Sequence, residues 1–156
     1  MHQGDCMHRL TFLTVSALLV VTPVQAKHHA AAHGGKWMAD PALPAGAMIS
    51  VVKGDPAKAG SDFVVRAKLP ANYAVPPHHH PTDETVRVLG AGSLTYGMGD
   101  KVTSSSATLT KGYHVTMQAG MNHWASNTDP VEIEISGKGP FEIVYVNPAD
   151  DPRNKK

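Results

Sequence analysis

The sequence predicts an all-β domain, an antiparallel barrel or sandwich. Three observations predict it. Glycine (14) and proline (12) are plentiful in a chain of 156 residues, which suits many turns between short strands. Strand-like stretches recur at intervals of roughly 8–12 residues with turn residues between them. After residue 26, no window of about 11 residues or more shows a helical apolar stripe. The length is that of one domain, and no internal repeat is present.

The elements follow in order. Met48 to Lys53 is a short strand closed by a turn at Gly54-Asp55-Pro56. Phe63 to Leu69 is rich in valine and flanked by Gly60 and Pro70. In Thr85 to Leu89, Val86 and Val88 share one face and Thr85 and Arg87 the other. Leu94 to Tyr96 follows Gly90 and Gly92. Val102 to Thr110 and Tyr113 to Gln118 are separated by Lys111-Gly112, a hairpin signal. In Val131 to Ser136, Val131, Ile133 and Ile135 point inward and Glu132 and Glu134 outward. Phe141 to Val146 is the last strand. Trp124, Tyr96, Tyr113 and Tyr145 suit a β core more often than a pocket lining.

The N-terminus is different in kind. His8 and Arg9 precede an apolar run, Leu10 to Val21, and Val24-Gln25-Ala26 is a small-x-small pattern. This is the layout of a secretory signal peptide with cleavage after Ala26. The run is about a dozen residues, short of the ~20 that an uncleaved membrane anchor needs. The expected protein is therefore exported, periplasmic or secreted, with no membrane attachment once residues 1–26 are removed. Cys6, the only cysteine, goes with the signal, so any metal site must use His, Asp or Glu. Residues 27–47 form an arm whose start, with His28, His29 and His33, reads as a leader. Trp37, Leu43 and Pro44 are the residues that would tack it to the barrel. A net charge of +1 gives no electrostatic case for nucleic acid. The basic end of the polar tail, Arg153 to Lys156, reads as a solvated terminus.

The chemistry concentrates at Pro77-His78-His79-His80-Pro81-Thr82-Asp83-Glu84. In an extended strand His78 and His80 share a face and His79 takes the other. Glu84 closes on the same centre if it re-enters the next strand after the Pro81-Thr82-Asp83 turn. Two neutral imidazoles and a carboxylate suit a first-row divalent ion. Three consecutive histidines alone equally describe a solvated polar turn, and His123, beside Trp124, alone describes a satisfied core histidine. Asn127 shares the parity of His123 and is a candidate to hold a loop or a ligand carboxylate in place. His114 reads as a surface residue. Arg87 suits an external ion pair or an anionic substrate.

Together the two stretches resemble the cupin superfamily. Its first motif runs roughly G-x5-H-x-H-x(3,4)-E-x6-G, and His78, His80 and Glu84 fill the ligand positions. Its second runs roughly G-x5-P-x-G-x2-H-x3-N, matched by Gly112, Gly120, His123 and Asn127. The departures fall on turns. Gln118 stands in place of the proline, Ala91 in place of the closing glycine of the first motif, and Asn72 in place of its leading glycine. Asparagine tolerates positive φ, so a tight turn at residue 72 is retained. The resemblance covers roughly residues 48–146, with residues 147–156 a polar tail. Its flanks, Leu43 to Ala47, Gly54-Asp55-Pro56 and Gly139-Pro140-Phe141, are similar to those of small exported single-domain cupins. It implies a double-stranded β-helix, or jelly-roll, barrel. It also implies one divalent metal, Fe, Mn, Zn, Ni or Cu, held by His78, His80, Glu84 and His123.

Such a ligand set leaves two adjacent positions of an octahedral ion for a chelating substrate or for substrate and dioxygen. The expected function is a metal-dependent enzyme, a dioxygenase-like oxidoreductase acting on a small molecule, with Glu84 able to leave the metal and act as base. The alternative is a non-catalytic module that binds a metal or a small molecule, since a fold alone does not decide function. A third role, a metal that only braces the barrel, is weaker. Residues 37–53 are the candidate strand for pairing into a homodimer.

Overall fold

The structure is a computed structural model and describes residues 35–155. The predicted signal peptide and the His-rich leader with His28, His29 and His33 lie outside the described residues. Ten strands follow one another: β1 (Met48–Lys53), β2 (Asp62–Leu69), β3 (Tyr73–His79), β4 (Glu84–Val88), β5 (Leu94–Met98), β6 (Ala107–Leu109), β7 (His114–Met117), β8 (His123–Asn127), β9 (Val131–Lys138) and β10 (Val144–Tyr145). They form two antiparallel five-stranded sheets, ordered β1-β2-β9-β4-β7 and β10-β3-β8-β5-β6. This is the jelly-roll arrangement that the sequence predicts. Among the described residues no helix is long and apolar enough to cross a membrane.

Alternation dictates which residues fill the interior. Val65, Ala67 and Leu69 of β2 pair with Ile135, Ile133 and Val131 of β9. Val86 and Val88 of β4 face Ile135 and Ile133 from the other side. Val65 is buried, and the others belong to or pack on one apolar cluster, which the second sheet completes with Tyr73, Val75, Leu94 and Tyr145. On β2 and β9 the alternate polar residues take the other face, where Arg66 Nε lies 3.6 Å from Glu134 Oε2.

The arm is docked where it is described. Met38 bridges Ile49, the Lys68 ammonium sits 4.1 Å from the centroid of the Trp37 ring, and Leu43 packs on the core. Two buried phenols tie its backbone down: Tyr73 Oη donates to the Pro44 carbonyl at 2.6 Å and Tyr145 Oη to the Ala42 carbonyl at 2.7 Å.

The structure differs from the expectation in several places, among them β8 (His123–Asn127), a strand with no counterpart in the expected series. The strand expected over Val102–Thr110 is only Ala107–Leu109, because the stretch before it is polar and Val102 is 65% exposed. The strand expected over Phe141–Val146 is only Val144–Tyr145, because Phe141 and Glu142 leave the ladder for contacts with His80. The basic tail is not wholly solvated: Arg153 donates to the Ile143 carbonyl at 2.9 Å and pairs with Asp151 at 2.8 Å.

Candidate metal centre

β3 carries the first histidines to their place by an irregular route. Tyr73 and Val75 are buried, so strict alternation would turn His78 outward. The register of β3 on β8 shifts between Val75 and His78, at Pro76-Pro77, where prolines have no N–H to give to the ladder. One extra residue there restores the parity. His78 and His80 are buried, while His79 faces away and bonds through Nδ1 to Asn122 Oδ1 at 3.0 Å. His123, the first residue of β8, lies directly opposite His78, with ring centroids 4.3 Å apart.

Glu84 arrives from the other sheet. It opens β4, between Met117 of β7 and Gly137 of β9. A Cβ on Gly137 would stand 2.5 Å from the Asp83 carbonyl oxygen, so only glycine lets the chain bring Glu84 in this closely. His78 and His123 thus belong to one sheet, with His80 just past the end of β3, and the carboxylate to the other. Glu84 Oε2 lies 3.3 Å from the Nε2 atoms of both His80 and His123.

The orientation of the rings is fixed from behind. His78 Nδ1 meets the Pro76 carbonyl at 2.7 Å, His80 Nδ1 the Glu142 carbonyl at 2.7 Å and His123 Nδ1 the Met121 carbonyl at 2.9 Å. A carbonyl only accepts, so each Nδ1 carries the hydrogen and each neutral ring turns an Nε2 lone pair inward. His80 Nε2 and His123 Nε2 are buried without a hydrogen-bond partner, since their approach to Glu84 lacks hydrogen-bond geometry. Buried polar atoms are normally paired. The ligand atoms of His78, His80 and His123 lie within 4.8 Å of one another, so this group can hold a metal ion, and the unpaired nitrogens fit one. Backbone carbonyls behind metal-ligating imidazoles are the usual means of setting their tautomer. Phe141 stacks on His80, with centroids 4.4 Å apart.

The electrostatics of the metal-free centre follow from burial. Burial, reinforced by His123 and His80, pushes the His78 imidazole down to about 3. Burial pushes the Glu84 carboxyl up, but His123 and His80 outweigh it and hold it down at about 2. For His123 burial favours the neutral ring, and Glu84 reverses the balance and raises its affinity for a proton.

The turns around the centre follow the motif with substitutes. Asn72 adopts φ 55°, as expected where the leading glycine is missing. Gly92, one residue after Ala91, takes the closing turn at φ 88°, and a Cβ there would lie 2.5 Å from the Pro130 carbonyl oxygen. Other candidates lie elsewhere. Asn127 sits opposite Tyr73 at the far end of β8 and donates to the carbonyls of Pro70 and Asp129, so it holds a loop and does not support the histidines. Arg87 and His114 are exposed partners across β4 and β7, away from the interior. Tyr113 is exposed, and Trp124 is buried over Gly97. The sequence does not reveal the carbonyls of Pro76, Glu142 and Met121 behind the rings, which no side-chain pattern shows, or Gly137, whose need appears only with its neighbours in place.

A cavity of ≈ 140 Å³ adjoins the centre, with His78, His80, Glu84 and His123 in its wall beside aliphatic residues such as Val75 and Ile133.

A β-barrel of two jelly-roll sheets with an inward histidine group describes the cupin fold, and solved structures agree. The chain is similar to the polyketide cyclase RemF from Streptomyces resistomycificus at 16% identity and TM-score 0.60, over 76% of this chain and 84% of that one. It is similar to KdgF from a Halomonas species at 17% identity and TM-score 0.51, over 67% and 88%. It is similar to the DMSP lyase DddQ from Ruegeria pomeroyi at 20% identity and TM-score 0.57, over 71% and 60%. No protein-family model matches the chain, and no curated protein does. The protein has the cupin fold. A cyclase and a lyase on one fold show that the fold does not choose the reaction.

Proposed function

We propose that the protein is an exported metal-dependent enzyme, a dioxygenase-like oxidoreductase acting on a small molecule, with His78, His80, Glu84 and His123 as metal ligands. One observation carries the reading. All three Nδ1 atoms are spent on backbone carbonyls, and His80 Nε2 and His123 Nε2 are buried without a hydrogen-bond partner beside the Glu84 carboxylate. Structural polar clusters pair their members, and this one leaves those two nitrogens unpaired. When bound, an Fe or Mn ion would supply Lewis acidity and reactivity toward dioxygen.

The chain's own residues supply the rest. The aliphatic wall excludes water and strengthens every electrostatic contact in the cavity. Glu84 is the carboxylate in contact with the imidazoles, and we assign it the role of accepting a proton from a substrate hydroxyl. Held near 2 by His123 and His80 after the opposing effect of burial, it is a weak base until those contacts are broken. Its departure from them is therefore part of the proposed reaction.

The reading is tested by loading the protein with Fe(II) or Mn(II) and following oxygen uptake with a panel of small hydroxycarbonyl compounds. Uptake with one of them, lost in His123→Ala, is the expected result. The lining favours one second reading, a binding module. Beyond the four residues of the centre, its only ionisable side chains among the described residues are Asp40 and Tyr96, so few groups are available for acid–base work. A metal-loaded protein that binds such a compound stoichiometrically and never consumes oxygen would establish that alternative.

A further inference from the structure

The barrel interior is not filled by its own side chains. Packed interiors keep few voids larger than a water molecule, and one water needs about 10–15 Å³. The cavity here measures ≈ 140 Å³, room for about ten times that. An apolar void of roughly this size, walled by aliphatic and aromatic side chains, stays dry and admits a guest as large as benzene. The walls are of that kind: Val75, Val86, Leu94, Ala125, Ile133 and Ile143 contribute, and neither lysine nor arginine does. Arg87, the sequence's candidate for an anionic group, is exposed.

We propose that this cavity receives the body of the substrate, and that the substrate is a singly charged chelator carrying a compact apolar group about the size of a benzene ring. The inference rests on the metal reading above. Three neutral imidazoles and one carboxylate leave a divalent ion with a single positive charge. Among the described residues the lining offers no other cation and one further carboxylate, Asp40, which is half-buried and accepts from the Ala42 N–H. An uncompensated buried charge at the ion is costly, so a head bearing one negative charge matches the centre. Ala125 sets the space for the body. It lies two residues beyond His123 on the same face of β8, opposite Val75 of β3 and Tyr96 of β5, and it lines the cavity.

The test is calorimetric titration of the protein, first with Zn(II), then of the loaded protein with acetohydroxamate and benzohydroxamate. These carry the same chelating head, and their affinities are corrected for binding to free Zn(II). Benzohydroxamate is expected to bind ~10- to 100-fold tighter, the gain for burying an aromatic ring. Ala125→Leu, or Ala125→Val if the larger residue prevents folding, is expected to remove most of that gain by weakening benzohydroxamate far more than acetohydroxamate. Equal affinities in the unaltered protein, within about threefold, would overturn the inference while the metal reading stands. Failure to take up Zn(II) in the first titration would overturn both.

Discussion

β3 and β8 run side by side, and their two ends treat buried polar groups in opposite ways. At one end Tyr73 and Asn127 face each other and spend their donors on loop carbonyls: Tyr73 Oη on Pro44, Asn127 Nδ2 on Pro70 and Asp129. At the other end His78 and His123 face each other with Nδ1 equally well spent, yet they and His80 turn their second nitrogens toward Glu84 and a cavity. The first end ties loops to the barrel. The second spends backbone carbonyls on aiming nitrogens that the fold itself does not use. On the proposed function, the difference separates buried polar residues that serve stability from those that serve a ligand.

The largest effect that would break the comparison is on the metal. The double variant His78→Ala/His80→Ala is expected to lose metal almost entirely, and His123→Ala and Glu84→Gln to lower occupancy severely, each read by elemental analysis. At the other end, Asn127→Ala leaves two carbonyls without their donor and Tyr73→Phe leaves one. Each is expected to cost ~1–3 kcal/mol in urea denaturation with metal content unchanged. A Tyr73→Phe protein that loses metal but not stability would erase the distinction between the ends.

An intermediate effect is expected in the pH dependence of the metal-free protein. Burial, with His123 and His80, holds folded His78 near 3 against an ordinary value of 6.5. The unfolded chain therefore binds this proton more tightly, and the stability His78 contributes is complete above 6.5 and lost as pH falls toward 3. Glu84, lowered on balance against its own burial by the same histidines, acts in the same direction between 4.5 and about 2. His123, raised on balance by Glu84 against burial, opposes them, its contribution being present at low pH and lost as pH rises. Denaturation followed from pH 7 to pH 4 is expected to show falling stability, with the fall reduced in His78→Gln. The smallest effect is expected of His79→Ala, which removes a bond to Asn122 outside the centre and should leave metal occupancy as it was. If His79 matters as much as His80, the inward register of His78 and His80 is wrong.

The sequence makes the barrel legible through β2, β4 and β9, where apolar and polar residues alternate cleanly and both faces have a clear fate. It is least informative about β3 and β8, the strands that hold the histidines. Pro76-Pro77 conceals the first behind a register shift, and His123 to Asn127 has no clean alternation of its own. The motif spacing nonetheless brings His78, His80, Glu84 and His123 to one place, because ligands at fixed intervals survive irregular backbone that periodicity does not. The parity that Asn127 shares with His123 makes it a candidate to hold a loop or a ligand carboxylate, and it holds the loop. β8 is extended, and four residues along it reach the opposite end of the strand.

The central claim is that four convergent side chains hold one divalent metal. It is tested most directly by elemental analysis of the untagged protein beside the His78→Ala/His80→Ala variant. About one metal per chain, absent from a variant that still folds, is the result expected here. A folded protein that takes up no metal after reconstitution with Fe, Mn, Ni, Cu or Zn would contradict the account.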